Sequence, residues 1–204
     1  MPVSINGQTG VITGLAVGGL PDGIVDTDMI ANNAVTSAKS SGLGGLAMAE
    51  QWRVGTSSDI TFNGSYYITA NWEKQDQAAA GNIGSSMTES SGIFTFPSTG
   101  IYHIIYTVGW YEPFGNARRA VWSYIETTTD NASNWITATT VGSNSNGGTS
   151  GTTHANMRIS TIFDVTNTST HKCRFRVHSS NTVYLWPNTD NNITSVVFLK
   201  LGDT

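Results

Sequence analysis

Between residues 92 and 108 apolar side chains stand at nearly every position rather than at every second one. Ile93, Phe94 and Phe96 come first, Pro97-Ser98-Thr99-Gly100 follows, and Ile101 to Val108 completes the stretch. Pro fixes φ, Ser and Thr bond locally and Gly accepts positive φ, so the pattern predicts two strands joined as a β-hairpin. Strand side chains alternate between faces. Tyr102, Ile104, Tyr106 and Val108 therefore share one face, and Ile101, His103, Ile105 and Thr107 the other. An antiparallel sheet with one wet face would alternate apolar with polar. Two apolar faces call for two covers. One is the core of the domain; the other is either more of the same chain or a second subunit.

The pattern recurs near the end of the chain. Ser195, Val197, Leu199 and Leu201 oppose Val196, Phe198 and Lys200, and Val183 and Leu185 oppose Tyr184 and Trp186. These strands fit one internal sheet. Residues 172–177 behave differently. Lys172, Arg174 and Arg176 point one way, and Cys173, Phe175 and Val177 the other, which predicts an outer strand with a wet basic face and a small buried Cys173. Further upstream, Ile60-Thr61-Phe62 and Ser65 to Thr69 flank Asn63-Gly64, a hairpin signal. Residues 72–86 read as a loop.

The first ~50 residues contain no Trp, Tyr or Phe and are dense in Gly. Small side chains bury little area against the entropy of ordering them, so this segment builds no core of its own. It reads as an arm that attaches to something larger, with Leu15, Leu20, Ile30 and Val35 as its anchoring apolar residues. One short helix is expected over residues 26–39, capped by Asp26 or Thr27, with a thin stripe of Ile30, Ala34 or Val35, and Ala38. Gly42 to Ala49 reads as a hinge, and the head domain is placed at 51–204.

Composition narrows the class. Charged residues make up 12% of the 204, against about 25% in ordinary proteins. Thr, Ser, Asn and Gly take their place, which suits an all-β protein with a neutral, hydrogen-bonding surface. The net charge of −4 argues against nucleic acid as a partner, since phosphate binding needs a concentrated basic surface. No apolar run reaches membrane-spanning length, so no membrane insertion is expected. With one cysteine and no signal-peptide pattern at the start, the expected site of synthesis and assembly is a cytoplasm.

Two stretches resemble known families. Residues 13–39, including Asp26-Thr27-Asp28-Met29-Ile30-Ala31 and Ala34-Val35-Thr36-Ser37-Ala38-Lys39, resemble short units of bacteriophage fibre and other virion proteins. Gly92, Phe94, Thr95, Pro97, Gly100, Tyr102 and Tyr106 are similar to the signature hairpin of the complement globular-head family, part of the tumour-necrosis-factor-like jelly rolls. Residues 120–125, 161–165, 182–186 and 195–201 look like later strands of that family. The resemblance spans about 51–204 and implies a ten-strand antiparallel jelly-roll β-sandwich that forms a homotrimer. Ile101, Tyr102, Ile104, Tyr106, Tyr184, Val196 and Phe198 are then the expected intersubunit residues. The departures are a Thr166–Thr170 turn without the family's acidic-Gly pattern, a long polar insert from Gly142 to Thr153, and no acidic cluster for a calcium site.

Nothing in the sequence carries catalytic chemistry. His103, His154, His171 and His178 lack metal-ligand spacing, and the phosphate, dinucleotide and nucleophile-elbow motifs are missing. Asp190-Asn191-Asn192 reads as a turn rather than a calcium site. No cofactor and no enzymatic activity are expected. Binding has more support: Trp110, Tyr111, Glu112, Phe114 and Asn116 fall where a loop should follow the central strand. Exposed, they would stack on sugar or dock on protein; folded back, Trp110 and Phe114 would plug the end of the sandwich. The sequence thus suggests a virion-surface protein of a bacteriophage, a fibre, spike or decoration subunit. Its expected partners are two identical subunits, other virion proteins through the arm, and a host glycan or protein. A carbohydrate-binding module is the alternative, and a polysaccharide depolymerase a more distant one.

Overall fold

The computed structural model describes residues 4–6, 11–13, 46–78, 80–112, 119–145 and 151–204. The chain divides into two units, Met1–Gly45 and Leu46–Thr204. In the first, β1 (Ser4–Asn6) pairs antiparallel with β2 (Val11–Thr13), with Ile5 opposite Ile12. The expected helix over 26–39 and the anchor residues Leu15, Leu20, Ile30 and Val35 lie outside the described residues.

The second unit is a jelly-roll sandwich of antiparallel strands, and among the described residues it contains no helix. Its short strands bring the count to eleven where ten were expected. They are β3 (Met48–Val54), β4 (Ile60–Tyr67), β5 (Trp72–Lys74), β6 (Thr88–Ser90), β7 (Ile93–Thr95) and β8 (Gly100–Glu112). β9 (Arg119–Thr128), β10 (Ile136–Ser145), β11 (Thr153–Val165), β12 (Lys172–Leu185) and β13 (Ser195–Gly202) complete them. The front sheet runs β5-β3-β13-β8-β11. In the back sheet β12 pairs with β9, which pairs with β10, and on its other side with β4 and β7. At its last residues β12 reaches across to β8, with Tyr184 opposite Tyr111, and closes one corner.

The head begins earlier than residue 51. β3 starts at Met48, whose side chain is buried, so that boundary cuts a strand and the supposed hinge is partly sheet. At the edge of the front sheet burial works against the charge of Arg53, but the carboxylates of Glu73 and Asp76 hold its pKa above the ordinary value and tie β3 to β5.

Phe94 occupies the middle of the core. Trp52, Trp72, Phe175 and Phe198 surround it with ring centroids 5.2–5.5 Å away, three of them edge-on and one tilted. Aromatic quadrupoles favour such arrangements over face-to-face sandwiches. These rings come from both sheets, so one cluster fastens the two layers together. Cys173 is buried in the same core, and burial pushes its thiol pKa up, which makes it a packing residue rather than a nucleophile.

Three local expectations are corrected. First, Ile93 to Val108 is not a hairpin. β7 belongs to the back sheet, where it pairs with β6 and β12, while β8 lies in the front sheet. Pro97 to Gly100 carries the chain across the edge of the sandwich, and Phe96 turns into the core beside Tyr102. The tight turn lies one step earlier, at Ser91-Gly92, where both residues have positive φ (52° and 82°) and a side chain on Gly92 would strike the Ile68 carbonyl. Second, Asn63-Gly64 is no turn. β4 runs straight through it, with Gly64 at φ 84° facing an irregularity of β12 between Ser179 and Val183. Gly there serves a bulge, for which the same residue is suited. Third, residues 72–74 form an edge strand rather than loop.

Candidate functional site

The outward face of the front sheet follows from strand alternation. On β8 the even positions Tyr102, Ile104, Tyr106 and Val108 are fully buried in the sandwich, and the odd positions Ile101, His103, Ile105 and Thr107 are half-buried on the other side. Register places Val197 and Ser160 on either side of Ile105, and Leu199 and Ile162 on either side of His103. Ile162 and Leu201, also on this face, are 56% and 50% exposed. A shallow hollow of about 330 Å³ opens there, lined by His103, Ile105, Arg158, Ile159 and Ser160. Ile101, Ile105, Val197, Leu199 and Ile162 thus make an apolar patch on this face, with His103 near its middle and Arg158 and Ser160 of β11 beside it. Solvated sheet faces normally carry polar residues at such positions.

This revises the expected intersubunit set. Tyr102, Ile104, Tyr106, Val196 and Phe198 have no exposed surface at all, because they fill the molecule's own core. They offer nothing to a neighbouring copy. Ile101 does stand on the outward face, and Tyr184 lies at its end. The residues passed over, Ile105, Val197, Leu199 and Ile162, were the odd or opposite partners in the same two-faced strands. Tyr106 shows the cost of its place: its hydroxyl finds no hydrogen-bond partner among the described residues, and burial drives its pKa strongly upward.

The expected recognition loop is also displaced. β8 continues to Glu112, so Trp110 and Glu112 are buried strand residues, and Phe114 and Asn116 lie outside the described residues. Trp110 takes the plug role. Tyr111 joins a row of rings at the closed corner. It stacks on Tyr184 (5.0 Å, 7° between planes) and lies 5.3 Å from His154, which lies 4.4 Å from Trp186. Burial, and the Asp59 carboxylate that accepts its hydroxyl hydrogen, push the Tyr111 pKa up.

The back sheet carries the basic strand on its outer side, as the alternation of residues 172–177 requires. β12 is longer than expected: it runs unbroken from Lys172 to Leu185, joining segments that read as two strands. Its Arg174 and Arg176 lie among the exposed ring of Tyr67 from β4 and the half-buried rings of Tyr124 from β9 and Trp135 from the turn before β10.

That turn is held by Asp130. Its carboxylate accepts from the Thr128 hydroxyl (2.6 Å), the Asn134 backbone N–H (2.9 Å) and the Asn134 side chain (2.6 Å). Those donors, the Thr128 hydroxyl first, bring its pKa down to about 2. A depressed carboxylate pKa contributes stability that is present above the ordinary value and lost as pH falls toward the folded value. Between pH 4 and about 2 the wild type is therefore expected to lose its stability advantage over Asp130→Asn, measured by denaturant midpoints. A difference that stays constant with pH would contradict this role.

Among the described residues no group of three His, Cys, Asp or Glu could hold a metal ion. Asn188 caps the 188–191 turn by accepting the Asp190 and Asn191 N–H groups, as a plain Asx turn does. Among the described residues no helix is long and apolar enough to cross a membrane.

No family model matches the chain, and no curated protein does. Solved structures do. The Eiger tumour necrosis factor of S. frugiperda superposes with a TM-score of 0.53 at 11% identity, over 76% of this chain and 93% of that one. Murine APRIL at pH 8.5 gives 0.51 at 11% identity, over 76% of this chain and 99% of that one. The head is a tumour-necrosis-factor-like jelly roll. The likeness at this identity is one of fold. The tumour-necrosis-factor-like head thus has a front sheet whose inner side is its own core and whose outer side carries an apolar patch that stays partly exposed among the described residues.

Proposed function

We propose that the protein is a homotrimeric structural protein of a bacteriophage virion, a fibre, spike or decoration subunit. The arm of about 45 residues fastens it to the particle and the head projects for adhesion or recognition of a host surface. The observation that carries the reading is the outward face of the front sheet. Ile101, Ile105, Val197, Leu199 and Ile162 form an apolar surface on a rigid sheet. Burying apolar area against identical copies removes it from water at about 25 cal/mol per Å². A closed ring of three leaves none of that face free to recruit further chains. The trimer implied by the jelly-roll resemblance supplies that geometry, and the virion-like units of residues 13–39 supply the attachment.

Deleting residues 1–45 is expected to leave a folded trimeric head that no longer enters particles. The check is mass spectrometry and immunoblotting of purified particles assembled with the truncated chain as the sole copy. Truncated chain found on particles at the wild-type level would contradict the role of the arm.

A further inference from the structure

The outer face of the back sheet carries an ordered stripe of planar groups. Cross-strand register sets Tyr67 and Tyr124 on either side of Arg176, Glu126 beside Arg174, and Trp122 beside His178. The Arg176 guanidinium lies 3.6 Å from the Tyr124 ring centroid, and Arg174 lies 4.3 Å from that of Tyr67 and 4.1 Å from that of Trp135. Glu126, 5% exposed, lies beneath both arginines. Its Oε2 accepts from Arg174 Nε and Nη2, each at 2.7 Å, and its Oε1 accepts from Arg176 Nε at 2.8 Å. Arg176 also donates to Ser65 at 3.1 Å. The Arg174 and Arg176 side chains keep 24% and 14% of their surface exposed.

Two features exceed what holding a sheet together requires. Large rings stay open to solvent: Tyr67 is 38% and Trp122 37% exposed. The Trp122 indole lies flat on Gly142, its cross-strand partner, where an added Cβ would meet Nε1 at 2.8 Å. A side chain at Gly142 would lift that ring; its absence lays one indole face down and turns the other outward. The charge is also locally reversed. On the strands themselves Lys172, Arg174 and Arg176 face Glu126, with Asp130 at the end of the stripe, on a chain whose net charge is −4.

We propose that this stripe is a binding site for an acidic polysaccharide, a chain of sugar rings bearing carboxylates. The C–H faces of pyranose rings lie against Trp122, Tyr67 and Trp135. Each carboxylate meets the part of a guanidinium that Glu126 and Ser65 leave exposed, whose planar geometry suits it. Glu126 fixes both arginines in advance, so less side-chain freedom is lost on binding. The stripe lies on the sheet opposite the proposed subunit contact and stays available in a trimer. The inference rests on the recognition part of the proposed function and names the chemistry of what is recognised.

The test uses the full chain and polygalacturonate as the probe, with neutral dextran as control, in isothermal titration at physiological salt. The wild type is expected to bind polygalacturonate saturably and to ignore dextran. Tyr67→Ala and Trp135→Ala are each expected to weaken binding about ten-fold, the loss of one ring contact or cation–π pair. Arg176→Lys, which keeps the charge and loses the fork, is expected to weaken it as well. Melting temperature and mass are read on the same samples, so loss of fold or of assembly is seen separately. No saturable binding by a folded trimer would overturn this inference alone. Binding left unchanged in all three variants would overturn it too, by reducing it to charge attraction; binding by a monomer would keep it and count against the trimer.

Discussion

Phe94→Ala is expected to lower the stability of the head by about 3–5 kcal/mol, the cost of emptying a large aromatic site in a core that cannot collapse around it. Phe94 touches Trp52 of β3, Trp72 of β5, Phe175 of β12 and Phe198 of β13. Those rings belong to four strands in two sheets, so no single strand can shift inward to close the space. The measurement is guanidinium unfolding of the wild type and variant at one protein concentration, because assembly makes stability concentration-dependent. A loss below about 1 kcal/mol, the size of one buried methylene, would show that the layers are fastened elsewhere.

The second large effect separates two neighbours on one strand. Ile105→Lys is expected to leave the head folded and to dissociate the trimer. Ile105 lies in the hollow with His103, Arg158 and Ser160, where no carboxylate could receive an ammonium. Three such charges buried at one contact would each lack a partner, and an uncompensated buried charge costs several kcal/mol. Tyr106→Lys, one residue on, is expected to abolish folding, since Tyr106 is fully buried with its ring tilted against that of Phe175 at 4.8 Å. Circular dichroism with light scattering distinguishes the outcomes. A trimeric Ile105→Lys, or a folded monomeric Tyr106→Lys, would mean that the two faces of β8 have been exchanged.

That exchange marks the limit of what the sequence could show. Two apolar faces on residues 101–108 were plain from alternation, and so was the need for two covers. Which face met the core was not, because Tyr102, Ile104 and Tyr106 are as apolar as Ile101 and Ile105. The decision comes from Phe94, Phe96 and Phe175, which arrive from elsewhere in the chain. By contrast Cys173, Phe175 and Val177 were placed correctly because their opposite neighbours carry charge. Turn chemistry misled twice for one reason. Pro97-Ser98-Thr99-Gly100 serves a sheet-crossing corner as well as a hairpin, and Gly64 serves a bulge as well as a turn.

The candidate glycan stripe was half legible. Lys172, Arg174 and Arg176 announced a wet basic face. The rings that complete it, Tyr67, Tyr124 and Trp135, come from three separate segments, so no spacing in the sequence joins them. The same holds for Tyr111, Tyr184, His154 and Trp186 at the closed corner.

The central claim is that identical neighbours cover the outward side of the front sheet. Its most direct test is the mass of the full chain in solution by sedimentation equilibrium at micromolar concentration. The expected result is a single species of three times the 21.7 kDa chain mass. A stable monomer, with Ile105, Leu199 and Ile162 left in water, would contradict it.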